Sequence, residues 1–313
     1  MIRFKIKHIS VIVVAVLITT AITFSCKKEA STSTEVEETM TAGTATFLVD
    51  NTIQPIVEDV IAVYQNMYDR ATIKQVNRSE GEIIRALLAD SARVAILSRQ
   101  LTPEEESYFK KKKITPKVNQ FAFDAIALIT NRQAKDTVVK LEEVIKILKG
   151  ETSAVIPKLV FDNPNSSTVK YLLNLAGVFK LPSQNVYALK NNEDVIKYVH
   201  DNNGAVGVIG LNWLMQPPPA LTKTVENIRV LGVNNVKADN TGNGYYKPNQ
   251  SNIGAGLYPL TRKLYVLNYQ GKQGLGMGFA NYITAPDGQR IILKSGLLPV
   301  NIPNRELEVR NEL

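Results

Sequence analysis

Reactive side chains are scarce in this 313-residue chain, which has one cysteine, two histidines and one tryptophan. A lone Cys26 cannot close an intrachain disulfide, and zinc sites of the His/Cys type cannot be assembled from this inventory. His8 lies in the N-terminal segment, so a Ser/His or Cys/His nucleophilic site would have to use His200. That residue stands beside Asp201 and Asn202 and reads as the solvated end of a helix. The stretch Gly271–Gly278 reads as a glycine-rich loop, and it lacks the Lys-Ser/Thr ending of a phosphate loop and the spacing of a dinucleotide fingerprint. No carboxylate pair stands out, and neither an enzyme activity nor a cofactor or metal is expected. Charge of one sign is modest too. Of the net +8, Arg3, Lys5 and Lys7 belong to the first segment, leaving +5. Lysines are scattered except at Lys110–Lys113, and without basic–aromatic interleaving no nucleic-acid partner is expected. The one long apolar run, Val11–Ile22, falls short of the ~20 residues of a membrane span.

That run follows a basic start and ends at Thr23-Phe24-Ser25-Cys26, the form of a secretory signal. The arrangement resembles a bacterial lipobox, whose cysteine becomes the acylated first residue of the mature chain, and an uncleaved anchor is the other reading. Either puts the remainder outside the cytoplasm, on the periplasmic side of a bacterial membrane or at the cell surface. The stretch after Cys26 is rich in Ser, Thr and Glu and almost without apolar residues until Phe47, which predicts a flexible tether. The expected organisation is a signal peptide (1–25), the tether (26–43) and a folded part from Thr44.

Strand-like and helix-like stretches then alternate, which predicts an α/β architecture. Strands are expected over Thr46–Val49, Val94–Leu97, Phe121–Ile129, Gly204–Gly210 and Tyr265–Asn268. Helices are expected from Ile53, capped by Asn51 or Thr52, and after a Ser79/Glu82 capping box. Thr102-Pro103-Glu104-Glu105 starts another, followed by Lys140–Lys149, a helix opened at Asn191 or Asn192, and Pro286–Lys294. Asn234–Asn252, rich in Asn, Gly and Lys, reads as a long loop.

A polar helix start after a strand or turn recurs at Asp50-Asn51-Thr52, Arg78-Ser79-Glu80 and Asn165-Ser166-Ser167-Thr168. Such side chains cap orphan N–H groups, and the same geometry can receive an anion. In a two-lobed α/β protein the starts can converge on a cleft at the carboxyl ends of strands.

From Phe47 to Val300 the chain resembles the phosphate-binding proteins of ABC transporters. The resemblance is carried by Ser98-Arg99-Gln100-Leu101 leading to Pro103-Glu104-Glu105, and by Asn165–Thr168 in the place of a Ser-Gly-Thr motif. The glycine-rich stretch Gly204–Gly210, the crossing Tyr258–Tyr265 and the helix start Ala285–Gln289 complete it. It implies a two-lobed type 2 periplasmic binding protein fold with a mixed sheet in each lobe and a ligand cleft between. Lobe 1 would comprise 44–121 and 256–313, lobe 2 would comprise 122–255, and the hinge would lie near Phe123 and Tyr258. Implied anion contacts are Asn51, Thr52, Ser79, Ser98, Arg99, Ser166, Ser167 and Thr168. Ser167 departs from the motif's glycine, and Arg99 and Asp162 stand where many members have Asp and Arg. Arg99 and Asp162 are therefore expected to form a swapped ion pair at the anion. The implied function is capture of inorganic phosphate or a similar oxyanion by a monomeric, lipid-anchored receptor partnered by an ABC permease. The alternative is an interaction or sensing module on the same fold, without transport, that binds another ligand or a protein.

Overall fold

The computed structural model describes residues 38–235 and 244–303. The expected signal peptide, Cys26 and all but the last residues of the tether lie outside the described residues. So does the middle of the stretch Asn234–Asn252.

In chain order the elements are β1 (Gly43–Asp50), α1 (Gln54–Met67), β2 (Ala71–Arg78), α2 (Glu80–Leu88), β3 (Val94–Leu97), α3 (Pro103–Lys111) and β4 (Lys117–Asn131). Next come β5 (Val138–Val139), α4 (Leu141–Leu148), β6 (Lys158–Phe161), α5 (Ser167–Ala176), β7 (Val186–Ala188), α6 (Asn192–Asp201) and β8 (Ala205–Gly210). The chain continues through α7 (Asn212–Met215), α8 (Thr222–Glu226), β9 (Ile228–Val230), β10 (Gly232–Asn234), β11 (Tyr245–Tyr246) and α9 (Gln250–Gly254). It closes with β12 (Thr261–Asn268), α10 (Leu275–Thr284), α11 (Pro286–Lys294) and β13 (Leu298–Pro299).

Local chemistry accounts for many boundaries. Helix α1 buries Ile56, Val57, Val60, Ile61 and Tyr64, one stripe at helical spacing, with Pro55 in its first turn. The α2 box is made by Glu82, whose carboxylate accepts from both the backbone N–H and the hydroxyl of Ser79. Thr102 and Glu105 make the reciprocal box at α3. Gly177, at φ 70°, ends α5 in the left-handed region.

The main sheet runs β2-β1-β3-β12-β4-β8-β6-β7, with β9 and β13 also paired to β4. Strand β4 joins its two halves. Its first part pairs antiparallel with β12 from Lys117 to Ala125, and its second part pairs with β8 from Ile126 to Ile129. In the first half β1 is parallel to β2 and β3, and in the second β6 is parallel to β7 and β8. The carboxyl ends of β1 and β6, each followed by a polar helix start, therefore face a common region beside the β4–β12 crossing. The described residues form one compact unit.

Three expectations change. The end of the tether is part of the fold: β1 begins at Gly43, and the Glu38 carboxylate accepts from Gln270 Nε2 and the Leu275 N–H. The stretch Asn234–Asn252 is not loop throughout, because β10 and β11 pair at one end and α9 occupies the other. The glycines after Gly274 belong to helix α10 rather than to a loop. At Gly278 a Cβ would lie 1.8 Å from the Met40 carbonyl oxygen, so glycine there permits close packing of a helix on the chain.

Candidate anion site

Strand β1 ends at Asp50, which is fully buried and caps the turn leading into α1. Its Oδ1 accepts from the Thr52 N–H and from the Thr52 hydroxyl, both at 3.0 Å. Thr52 Oγ1 also lies 2.9 Å from Ser167 Oγ, in the first turn of α5 on the other half of the sheet. Because the single Thr52 proton goes to Asp50, Ser167 donates to Thr52 and accepts from Arg262 Nη1 at 2.8 Å. A directed relay thus runs from the Arg262 guanidinium through two hydroxyls to the Asp50 carboxylate. A second relay lies alongside. The Val169 N–H donates to Ser166, Ser166 to Thr168 at 2.9 Å, and Thr168 to Asp162 Oδ1 at 3.1 Å.

Arg262 is 5% exposed and stands on β12 in register with Asp124 of β4. Its Nε donates to Asp124 Oδ2 at 2.8 Å. Nη2 is 2.7 Å from the same oxygen, an ion-pair contact without hydrogen-bond direction, so its donors are not used there. Asp50 Oδ2, Asp124 Oδ1, Asn192 Oδ1 and Asn212 Oδ1 are likewise buried without a hydrogen-bond partner. Buried polar atoms in a folded protein are rarely left so, and a concentration of them in one cluster offers hydrogen-bond capacity to ordered water or a polar ligand. Gly210, closing β8, makes room: a Cβ there would be 2.4 Å from Thr52 O and 3.1 Å from Arg262 Nη2. Asn212 Nδ2 donates to the Thr52 carbonyl, while Asn192 Nδ2 and Trp213 Nε1 donate to that of Asn51.

Three buried carboxylates share the cluster. Desolvation raises the pKa of Asp50 and of Asp124, with the Arg262 charge opposing it in both. Asp162 is raised to about 6, by desolvation first and with repulsion from Asp50 added to it. One guanidinium among three carboxylates leaves the cluster rich in acceptors and short of positive charge, which favours an anion that brings its own protons.

The structure brings Thr52, Asp162, Ser166, Ser167 and Thr168 of the sequence candidates together. Asn51 contributes its backbone carbonyl. Ser79 is buried and engaged with Glu82, and Ser98 is half-buried. The expected Arg99–Asp162 pair is not formed. Arg99 binds Glu105 with both terminal nitrogens at 2.8 and 3.0 Å and Glu80 through Nε at 2.8 Å. Burial opposes the Arg99 charge, but the two glutamates outweigh it and its pKa is raised. Asp162 instead accepts from Thr168 and Asn192. The arginine of the site is Arg262, which sequence reasoning missed together with Asp124. A signal existed: Asp124 interrupts the apolar run Phe121–Ile129, and a charge inside a buried strand requires a partner.

The chain matches the family model described as PBP superfamily domain over residues 34–287. It is 24% identical over 306 residues to the phosphate-binding protein PstS of Borreliella burgdorferi, covering 93% of this chain and 98% of that one. Among solved structures it resembles a putative phosphate ABC transporter substrate-binding protein with bound phosphate from Clostridium perfringens. The TM-score is 0.67 at 16% identity, with 83% of this chain and all (100%) of that chain covered. An ABC-type phosphate transport receptor from Vibrio cholerae aligns with TM-score 0.61 at 17% identity over 82% of this chain and 100% of its own.

Proposed function

The chain belongs to the PBP superfamily, and from that membership we propose that it is an extracytoplasmic receptor capturing inorganic phosphate for an ABC-type importer. The similarity to phosphate-binding and phosphate-transport receptors supports this reading. The observation that carries it is the buried Arg262 guanidinium, with donor capacity to spare, at the head of a relay of uncharged hydroxyls.

Phosphate entering the cluster takes over the donors that Ser167, Thr52 and Arg262 direct at one another, together with those of Ser166 and Thr168 at the start of α5. The open acceptors of Asp50 and Asp124 receive the protons of a phosphate, which a fully ionised sulfate lacks. The two halves of the sheet act as lobes, 44–121 with 256–313 and 122–255, that close about β4 and β12, and a permease reads the closed form. Receptor function needs no catalysis and no cofactor. Acylation at Cys26 tethers the monomer to the membrane.

Calorimetric titration of ligand-stripped protein with phosphate and then sulfate tests the reading. Phosphate is expected to bind and sulfate to give no heat. A folded chain that takes up neither would overturn the assignment and move the function to a non-transport interaction module.

A further inference from the structure

At the end of the first half-sheet remote from the anion site, a pocket of about 540 Å³ opens between the loop after α3, the start of β4 and the loop before α10. Its charged lining residues are Lys113, Lys117 and Lys272, and no carboxylate lines it. Lys113 and Lys117 are exposed and make no ion pair among the described residues, and Lys272 is held by Glu38 at 2.7 Å.

The sheet register fixes where this basic end lies. Lys117 pairs with Asn268, and Asp124 with Arg262 seven positions along the same ladder, which at ~3.4 Å per residue puts the lysines more than ~20 Å from the anion site. Strand β1 runs from Gly43 at the lysine end to Asp50 at the site, as its parallel pairing with β3 and the antiparallel pairing of β3 with β12 require. The chain enters the fold at the same end, since Glu38 is anchored on Lys272, Gln270 and Leu275. Eleven residues separate Cys26 from Glu38, so an acyl group on Cys26 brings this end within ~40 Å of a bilayer.

We propose that the lysine end is a membrane-apposed surface that binds anionic phospholipid headgroups of the anchoring leaflet. The inference rests on the lipid-anchored reading. Its partner chemistry follows from charge: the unpaired ammonium groups of Lys113 and Lys117 beside an open pocket attract phosphate-bearing headgroups that come within a Debye length of them. Two carboxylates toward this end are already engaged, Glu38 by Lys272 and Asp90 by Arg93 and Lys112, whereas Asp69 before β2 is exposed without an ion pair among the described residues.

The test uses the chain from Lys27 onward, which contains the whole compact unit, sedimented with vesicles of phosphatidylcholine alone or with one third phosphatidylglycerol. Binding is expected only to the anionic vesicles and weakens as salt rises. Lys113→Glu with Lys117→Glu lowers it by at least about tenfold, given roughly fivefold per basic residue near the surface. Equal sedimentation of variant and wild type, equal binding to neutral vesicles, or no binding to anionic ones overturns the proposal. Inorganic phosphate that displaces the protein from the vesicles with wild-type lysines, and not through the cleft residue Arg262, would assign the pocket to the free ion instead. The phosphate titration of the cleft, run on the same variant, is expected to be unchanged. Its failure in the wild type would strike the receptor function and leave this surface standing.

Discussion

Arg262 concentrates the energetics of the candidate site in one side chain. It is buried, paired with Asp124 and the donor to Ser167. Removing one partner of a buried pair leaves the other uncompensated, so Arg262→Met should cost about 3–5 kcal/mol in denaturant unfolding and abolish phosphate binding. Arg262→Lys restores the charge without the fork and should recover stability better than affinity. Asp162 contributes to the pH response beside Asp50 and Asp124, whose pKa values are raised too. Its carboxyl is raised to about 6 in the fold from an ordinary 3.8, so the folded state binds the proton more tightly. Stability from this group is therefore greatest below its unfolded pKa, falls as pH rises from about 4 to 6, and stays lower above. Asp162→Asn removes that dependence and should gain about 1–3 kcal/mol on wild type between pH 4 and pH 7.5, measured by urea unfolding at each pH. A constant difference across that range would contradict the assignment.

Among the elements, the start of α5 divides its hydroxyls: Ser166 caps the helix, accepting from the Val169 N–H, while Ser167 and Thr168 point their hydroxyls into the two relays. Ser166→Ala should lower stability by about 1 kcal/mol, the ordinary worth of a cap, in thermal or chemical unfolding. The hydroxyl-rich pattern was legible in the sequence because caps are local. The end of β8 was not. Gly210 reads there as part of a glycine-rich strand, and its need for a missing Cβ comes from Thr52 and Arg262, which other elements deliver. The Arg99–Asp162 expectation failed for a similar reason: Glu105, six residues on, and Glu80 at the start of α2 are nearer and better oriented partners.

For the whole molecule, the proposed closure turns on the contacts between the two half-sheets around the site. Lys170 of α5 reaches Glu80 of α2 at 3.1 Å, beside a bond from the Gly81 N–H to the Asn165 carbonyl. Glu80 keeps Arg99 when Lys170 is lost. Lys170→Met should therefore leave the melting temperature nearly unchanged, weaken phosphate affinity by about two- to fivefold and raise the population of open forms in small-angle scattering. A large loss of stability without change in affinity would place the contact in the fold rather than in closure.

Legible in the residues alone were the alternation of strands and helices, the caps at Ser79 and Thr102, the capping character of Asn165–Thr168, the scarcity of cysteine and histidine, and the polar helix starts. All of these are local or compositional, set by side-chain period, hydrogen-bonding groups within three residues, and residue inventory. The tertiary structure alone decided which charges meet. Asp124 and Arg262 are 138 positions apart, and Thr52 and Ser167 are 115 apart. Only the antiparallel register of β4 with β12 and the meeting of two half-sheets put them within hydrogen-bond reach, because pairing over such separations is decided by packing geometry rather than by neighbouring residues.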